Sequence, residues 1–188
     1  MANITFNISL FIYLFAALGY SLYLVYRRPL VKSLSFFSLG VGLLFHTVNI
    51  SLRSMETGHG PYTTGFEITS FLAWAIVVIF FITEWKYKIQ DLGAFIIPVV
   101  FLIFLYSAFQ SREYSLINES ATMFWLTMHR TLSIIGYAAF AIGFGVAVMY
   151  LIQENQVKRK KLGVMYFRMP SLEVLDNLNH KAIAFGFP

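Results

Sequence analysis

Long apolar stretches separated by short polar ones run along this chain of 188 residues. Five stretches are long enough to cross a hydrocarbon core of ~30 Å as helices that rise ~1.5 Å per residue. The pattern therefore predicts an all-α, polytopic membrane helix bundle with five transmembrane helices. The predicted spans cover residues 8–26, 34–52, 66–85, 89–109 and 125–152. The start of a sixth span is predicted at Ala182.

The charges in the connections predict how these helices are oriented. Basic residues are concentrated after the first, third and fifth spans, whereas the N-terminal arm is uncharged and the other connections balance arginine with glutamate. An excess of Lys and Arg marks the cytoplasmic side. We therefore predict an N-out, multi-pass protein of the inner (cytoplasmic) membrane, with residues 153–181 as a basic cytoplasmic segment. The charges that carry this prediction are Arg27, Arg28, Lys32, Lys86, Lys88, Lys158, Arg159, Lys160, Lys161 and Arg168, against Glu56, Glu113 and Glu119.

Composition narrows the chemistry. Hydrophobic residues make up 58% of the chain and charged residues 12%, which is typical of a membrane protein. The formal charge of +5 lies in the topology clusters, so it indicates a lipid bilayer and no nucleic-acid partner. Since the sequence has no cysteine, any redox chemistry must belong to a cofactor or a partner. Hydrolase motifs such as Gly-x-Ser-x-Gly and His-Glu-x-x-His are absent from the sequence.

His129 is the principal candidate ligand. It lies within the first turn of the predicted fifth span, at its outer end, close to Trp125 and Arg130. A neutral imidazole held by a helix can bind haem iron, and a neighbouring Arg can pair with a propionate. Trp125 is then expected to line the pocket. The alternatives are a histidine that only hydrogen-bonds to a neighbouring helix, and an Arg130 that only extends to the lipid headgroups.

The other three histidines differ in depth. His46 lies in the middle of the second predicted span, where an ionisable residue is costly and suggests function, although a hydrogen-bonded structural role beside Asn49 is an equal alternative. A haem shared by His46 and His129 remains open, because their predicted depths differ by only ~5 Å. His59 follows the second span in a Gly-His-Gly-Pro turn and is predicted to face water. His180 is predicted to be a solvated residue of the cytoplasmic tail.

Two features of the predicted spans concern packing. Pro98 lies inside the fourth span and is expected to kink it. Small residues recur along the fifth span and predict the close approach of another helix. These residues are Gly136, Ala138, Ala139, Ala141, Gly143 and Gly145.

Three stretches carry a family resemblance. The first runs from Leu43-Leu44-Phe45-His46-Thr47 through Gly58-His59-Gly60-Pro61 to Glu67 and Trp74. The second is His129 with Gly136-Tyr137-Ala138-Ala139-Phe140, and the third is Pro170-Ser171-Leu172-Glu173-Val174-Leu175-Asp176 with Asn179 and residues 182–188. In this order they resemble the cytochrome c biogenesis proteins of the CcsA (ResC) type and their HemX-like relatives. The outer loop at 61–67 departs from the family pattern and keeps only its ends and a hydroxyl.

The resemblance implies a membrane subunit of a haem-delivering cytochrome c synthase. Such a protein handles haem b as a substrate or transported ligand and presents it at the extracytoplasmic face for covalent attachment to apocytochrome c. The resemblance implies His129 as an axial ligand of the haem iron, with Arg130 and Trp125 beside the haem and His46 as a second site. It also implies a membrane partner of the CcsB (ResB) type.

The tryptophan-rich haem-binding loop of that family is not found in the sequence. We therefore expect a single membrane domain over residues 1–188 that needs further sequence or a second polypeptide, and that is not catalytic alone. Two alternatives remain open. One is a HemX-like regulator of haem synthesis that binds no haem, and the other is a b-type electron carrier with one haem between His46 and His129.

Overall fold

Six α-helices, and no strands, make up the part of the chain that the structure describes. The computed structural model describes residues 1–89, 91–113, 123–160, 163, 166 and 169–187, so Glu119, Lys161 and Arg168 of the charge argument lie outside it. The all-α prediction is confirmed. The helices are α1 (Ala2–Tyr26), α2 (Pro29–Thr57), α3 (Gly65–Tyr87), α4 (Leu92–Ala108), α5 (Met123–Lys158) and α6 (Leu172–Gly186).

Local sequence explains where the first three helices begin and end. Arg27 adopts a left-handed conformation with φ 55° and ends α1, and Pro29 then occupies the first turn of α2, where its missing N–H costs nothing. Gly58 ends α2 with φ 74°, a conformation that glycine adopts without strain. Thr64 and Glu67 form a reciprocal capping box at the start of α3. Short connections of this kind make consecutive helices antiparallel.

Four helices, namely α1, α2, α3 and α5, are long and apolar enough to span a membrane, and the protein is a multi-pass membrane protein. The fourth predicted span is shorter than expected, because Lys88 ends α3 and the next helix begins only at Leu92. The 17 residues of α4 extend about 26 Å. This helix packs against α1, α3 and α5, and it continues on both sides of Pro98. The five-span count and the N-out orientation remain predictions.

The end of the bundle at which α1 and α3 end, and α2 and α4 begin, is termed the inner end here. Arg27 forms an ion pair with Asp91, just ahead of α4, and Lys32 Nζ lies 2.7 Å from Glu84 Oε1. The first pair joins α1 to α4, and the second joins α2 to α3. Part of the basic charge that predicts the cytoplasmic side therefore also holds neighbouring helices together.

The opposite end, termed the outer end, is joined through Arg53. Its Nε donates to Glu67 Oε1 at 3.0 Å, and its Nη2 donates to the carbonyl oxygen of Arg112 at 2.8 Å. Arg112 in turn donates to the Asn3 side chain, and its guanidinium lies 4.7 Å from the centre of the Phe6 ring. Burial, and then the positive charge of Arg53, lower the pKa of the Arg112 guanidinium. The start of α1 and the ends of α2 and α4 therefore meet at one end.

The C-terminal helix begins well before the apolar run that starts at Ala182. The Ser171 hydroxyl accepts a hydrogen bond from the Val174 N–H and caps α6, so the helix starts at Leu172. It packs along α5 through buried Leu175 and Leu178 and runs towards the outer end. His180 is exposed and lies on this helix.

Candidate functional site

A groove of about 630 Å³ lies between α5 and the C-terminal end of α6, and His129 lies at its outer end. On the α5 wall, His129, Ser133, Gly136 and Phe140 form a stripe spaced three or four positions apart, and the other α5 residues of the lining lie on either side of it. Aromatic side chains from both helices complete the lining. The groove is lined by His129, Leu132, Ser133, Ile135, Gly136, Tyr137, Phe140, Ala184, Phe185, Gly186 and Phe187.

Two glycines allow the helices that form this groove to approach closely. A Cβ atom on Gly136 would lie 2.8 Å from the carbonyl oxygen of Gly186, and one on Gly186 would lie 2.7 Å from the Phe140 ring. Further along α5, a Cβ on Gly143 would meet Asn179 and Ala182 of α6. The prediction that small residues of the fifth span accommodate another helix is confirmed: Gly136 and Gly143 face α6, whereas a Cβ on Gly145 would meet Ile96 of α4.

Three site residues predicted from the sequence lie together near the outer end of α5. Because α5 begins at Met123, His129 lies in its second turn rather than its first. Trp125 is 76% exposed and lies one turn before His129 on the same face, where it extends the stripe of the groove without lining it. Arg130 is partly buried and lies beside His129 but outside the lining.

The exposed imidazole of His129 is available to a ligand. Within the described part of the chain, neither of its ring nitrogens has a hydrogen-bond partner, which leaves a nitrogen free to coordinate a metal ion. The volume of the groove falls within the ~300–1,000 Å³ of small-molecule and cofactor sites, and its walls are mostly apolar and aromatic. A single imidazole at the edge of an aromatic groove suits a large, flat, apolar ligand that carries its own metal ion, such as haem.

His46 is enclosed by three other helices. It is 0% exposed, its Nδ1 lies 3.3 Å from the Tyr13 hydroxyl, and its Nε2 lies 3.0 Å from the Ser70 hydroxyl. The ring also stacks on Phe104, with 4.2 Å between the ring centres. A Cβ on Gly42, one turn earlier, would lie 2.7 Å from the Tyr13 ring, so this glycine makes room for the contact. Both nitrogens of His46 are therefore occupied by protein groups.

The structure does not bring His46 and His129 together. His46 lies on α2 and His129 on α5, and these two helices do not pack against each other in the described residues. The two histidines face separate surroundings, one a closed polar cluster and the other an open groove. Their similar predicted depth did not reveal this, because depth along a helix says nothing about the direction in which a side chain points.

His59 differs from its predicted exposure to water. Its side chain is only 5% exposed, and its Nδ1 donates to the carbonyl oxygen of Gly60 at 2.9 Å. The capping carboxylate of Glu67 lies 3.9 Å away and accepts hydrogen bonds from the Thr63 and Thr64 N–H groups. The loop folds around this carboxylate and encloses the imidazole. The loop between α2 and α3 is therefore ordered by its own hydrogen bonds and buries His59. The glycines and the proline of the turn do not predict this burial.

Sequence reasoning missed most of the groove lining. Ser133 and Tyr137 follow His129 at one and two helical turns, so helical spacing could have identified them. The contribution of Phe185 depends on how α6 packs against α5, which no local pattern specifies. The outer loop also reaches this region, because the Tyr62 hydroxyl lies 3.1 Å from the Thr127 hydroxyl on α5.

The helical fold, its apolar spans and the groove beside His129 define a class of protein: a multi-pass helical membrane protein with an open, mostly apolar groove near one end. A family model described as "Cytochrome C assembly protein" matches residues 62–188, which is more than half of the chain. The chain therefore belongs to the cytochrome c assembly protein family. The matched region includes α3 to α6 and His129, and it begins after His46 and His59.

Individual relatives carry two different names. The chain is 24% identical to the cytochrome c biogenesis protein CcsA of Guillardia theta, over 99% of this chain and 68% of that protein. It is 25% identical to CcsA of Chlorella vulgaris, over 79% of this chain and 57% of that protein. It is 24% identical to the protein HemX of Brevibacillus brevis, over 97% of this chain and 68% of that protein. No solved structure matches the chain.

Proposed function

We propose that this chain handles haem b, as substrate or transported ligand, in a cytochrome c maturation system. Family membership supports a role in cytochrome c biogenesis. The observation that supports haem as the ligand is His129, an imidazole without a protein partner among the described residues, beside an apolar, aromatic groove. The haem is presented at the extracytoplasmic face of the inner membrane for covalent attachment to apocytochrome c. That orientation rests on the distribution of basic residues.

Each proposed site residue has a defined task. His129 provides an axial nitrogen to the haem iron, and the side chains of Tyr137, Phe140 and Phe185 cover apolar porphyrin surface. Arg130, next to His129, pairs with a propionate, and Trp125 extends the aromatic surface one turn further out. When bound, haem supplies the iron and the vinyl groups that react with apocytochrome thiols. The chain spans 57–68% of the length of the three relatives compared above. We therefore include in the proposal a membrane partner of the CcsB (ResB) type, together with which the chain would support the attachment reaction.

The experiment compares two histidine variants of the full gene product. His129→Ala removes the proposed ligand, and His180→Ala removes an exposed histidine of α6 that does not line the groove. We expect purified His129→Ala to lose at least tenfold of the bound haem, measured by its Soret absorbance, and to reduce covalent cytochrome c formation in cells. His180→Ala should retain both. Full haem content and full cytochrome maturation in His129→Ala would overturn the proposal.

The HemX relative favours one alternative, a membrane regulator of haem synthesis that binds no haem. In this case the basic tail from Lys158 to Arg168 would contact a partner, although a positive-inside anchor accounts for the same charges. Titration of the purified wild-type protein with haem separates the two functions. Saturable binding that depends on His129 supports haem handling, whereas no binding to the complete gene product supports the regulator.

A further inference from the structure

A second groove, of about 350 Å³, lies between α3, α5 and α6. Phe185 lines both this groove and the one beside His129. The part of the second groove nearer the inner end differs from the first groove because it carries positive charge. Two lysines lie at this part, and mostly apolar side chains, three of them isoleucines, line the rest. The residues that matter here are Ile79, Ile82, Lys86, Ile142, Lys181 and Ala182.

The two lysines converge on one aromatic ring. Lys86 comes from the end of α3 and Lys181 from α6, and their Nζ atoms lie 5.7 Å and 5.6 Å from the centre of the Tyr87 ring. In the described residues neither lysine forms an ion pair, whereas Lys32 and Lys158 are paired with glutamates. Two like charges held near one ring repel each other, and an anion between them would reverse this effect.

Apart from Thr83 and Tyr87, the remainder of the groove lining is apolar, and it runs from the lysines towards the middle of the membrane span. Ile82 and Ile79 lie one and two turns before Lys86 on α3, and Ile142 faces them from α5. The order is therefore charge at the inner end, an amphipathic tyrosine beside it, and hydrocarbon above. A phospholipid of the adjacent leaflet has its phosphate and acyl chains in the same order.

The backbones of the helices on either side of the groove do not approach each other closely. Within the described part of the chain, α6 packs on the bundle through α5, and the Lys181 side chain reaches α3 at the Tyr87 ring. An occupant of the groove would contact both helices at once. A bound lipid would therefore link α6 to α3, because its phosphate would contact Lys86 and Lys181.

We propose that this groove binds an anionic phospholipid, with its phosphate between Lys86 and Lys181 and an acyl chain along Ile79 and Ile82. Charge complementarity supports an anionic headgroup, because both lysines line the same groove and neither forms an ion pair with another described residue. The apolar wall supports a complete lipid rather than a free phosphate. This inference concerns a separate groove and does not depend on the haem proposal.

The first experiment measures lipid binding to the full gene product in neutral detergent by native mass spectrometry. The double variant Lys86→Gln/Lys181→Gln removes both charges, and Lys158→Gln/Lys160→Gln is the matched control, since neither of its residues lines the groove. We expect phosphatidylglycerol to bind the wild type more tightly than phosphatidylcholine with the same chains. The groove variant should bind phosphatidylglycerol about 30-fold more weakly, and the control should stay within twofold of the wild type.

Equal binding of the two lipids, or an equal loss in the control variant, would overturn the proposal, because either result would indicate unspecific attraction to basic residues. Lys86 and Lys181 are exposed, so their replacement should leave the fold intact, which circular dichroism can confirm. If the double variant does not fold, the single variants test each charge separately, with an expected loss of about fivefold each.

A second experiment separates a lipid from a free phosphate. Glycerol phosphate, which has the headgroup charge without acyl chains, should not displace bound phosphatidylglycerol. Ile82→Ser, at a position 55% exposed in the groove, should weaken phosphatidylglycerol binding about fivefold. Leu22→Ser, at a similarly exposed position outside the groove, should not. Displacement by glycerol phosphate, or equal effects of the two serine variants, would overturn the acyl-chain assignment.

Discussion

At the residue scale, His46 and His129 show that position along a membrane helix does not determine what a histidine does. His46 has a hydroxyl group at each ring nitrogen and an aromatic ring against its face. His129 lies beside an open groove with no such partners among the described residues. A buried polar group with its hydrogen bonds satisfied contributes to stability, whereas an accessible imidazole without a partner can bind a ligand. The two histidines should therefore fail in different ways when replaced.

His46→Ala should destabilise the protein and leave haem binding largely intact. The substitution removes a buried ring and leaves the hydroxyls of Tyr13 and Ser70 without their partner, which together cost about 3 kcal/mol. Thermal unfolding in detergent measures this change. His180→Ala, at an exposed position, should change stability by less than about 0.5 kcal/mol. Equal unfolding temperatures for the two variants would contradict the structural role of His46, and loss of haem at retained stability would favour the shared-haem hypothesis instead.

The sequence alone identifies His46 and His129 as unusual but cannot separate their roles. An ionisable residue in an apolar span is visible in any hydropathy pattern. The residues that occupy the nitrogens of His46 come from α1 and α3, far away in sequence, and the groove beside His129 requires α6. Tertiary partners of this kind depend on how the helices pack, which the local pattern does not specify.

At the element scale, hydropathy predicts the long apolar helices but not the start of α6. The lengths of the apolar runs predict α1, α2, α3 and α5 well, because one helix must satisfy all its backbone groups across the membrane. The start of α6 was missed because Leu175 and Leu178 are its only buried residues before the apolar run, and polar residues surround them. Its signal is the amphipathic spacing and the Ser171 cap, not the hydropathy.

The packing of α6 on α5 should depend on Gly136. A methyl group at this position would lie 2.8 Å from a backbone oxygen of α6, which cannot move away as a flexible side chain would. We expect Gly136→Ala to increase amide hydrogen exchange in residues 172–186 at least tenfold and to weaken haem binding, because the groove changes shape. Gly40→Ala is the matched control, since its methyl group would meet only the Phe81 ring at 3.9 Å and Ala favours a helix.

Hydrogen exchange separates the possible outcomes of this pair. If Gly136→Ala and Gly40→Ala leave α6 equally protected, the close approach of the two helices does not depend on the glycine. If α6 loses protection while haem binding is unchanged, the groove is not where haem binds. Neither result would affect the family assignment, which rests on the sequence match.

At the scale of the whole molecule, the hydrogen bonds of Arg53 and Arg112 bear on the number of spans. They place the end of α4 beside the ends of α1 and α2 that lie opposite the Arg27–Asp91 pair. A helix of about 26 Å that begins at the inner end and finishes at the outer end must cross the bundle, although it is shorter than its neighbours. This geometry favours five spans, and the charge pattern favours N-out. A measurement of sidedness would test both predictions together.

The absence of cysteine from the sequence makes this measurement direct, because each introduced thiol is the only one in the chain. In intact spheroplasts, a membrane-impermeant maleimide should label Glu56→Cys, in the last turn of α2, and Glu113→Cys, after the end of α4. Lys160→Cys, after α5, should react only once the membrane is permeabilised. If α4 did not cross, Glu113 would be protected and Lys160 would be labelled from outside. If the orientation were reversed, all three results would be inverted, and His129 would face the cytoplasm instead of the compartment in which cytochrome c receives its haem.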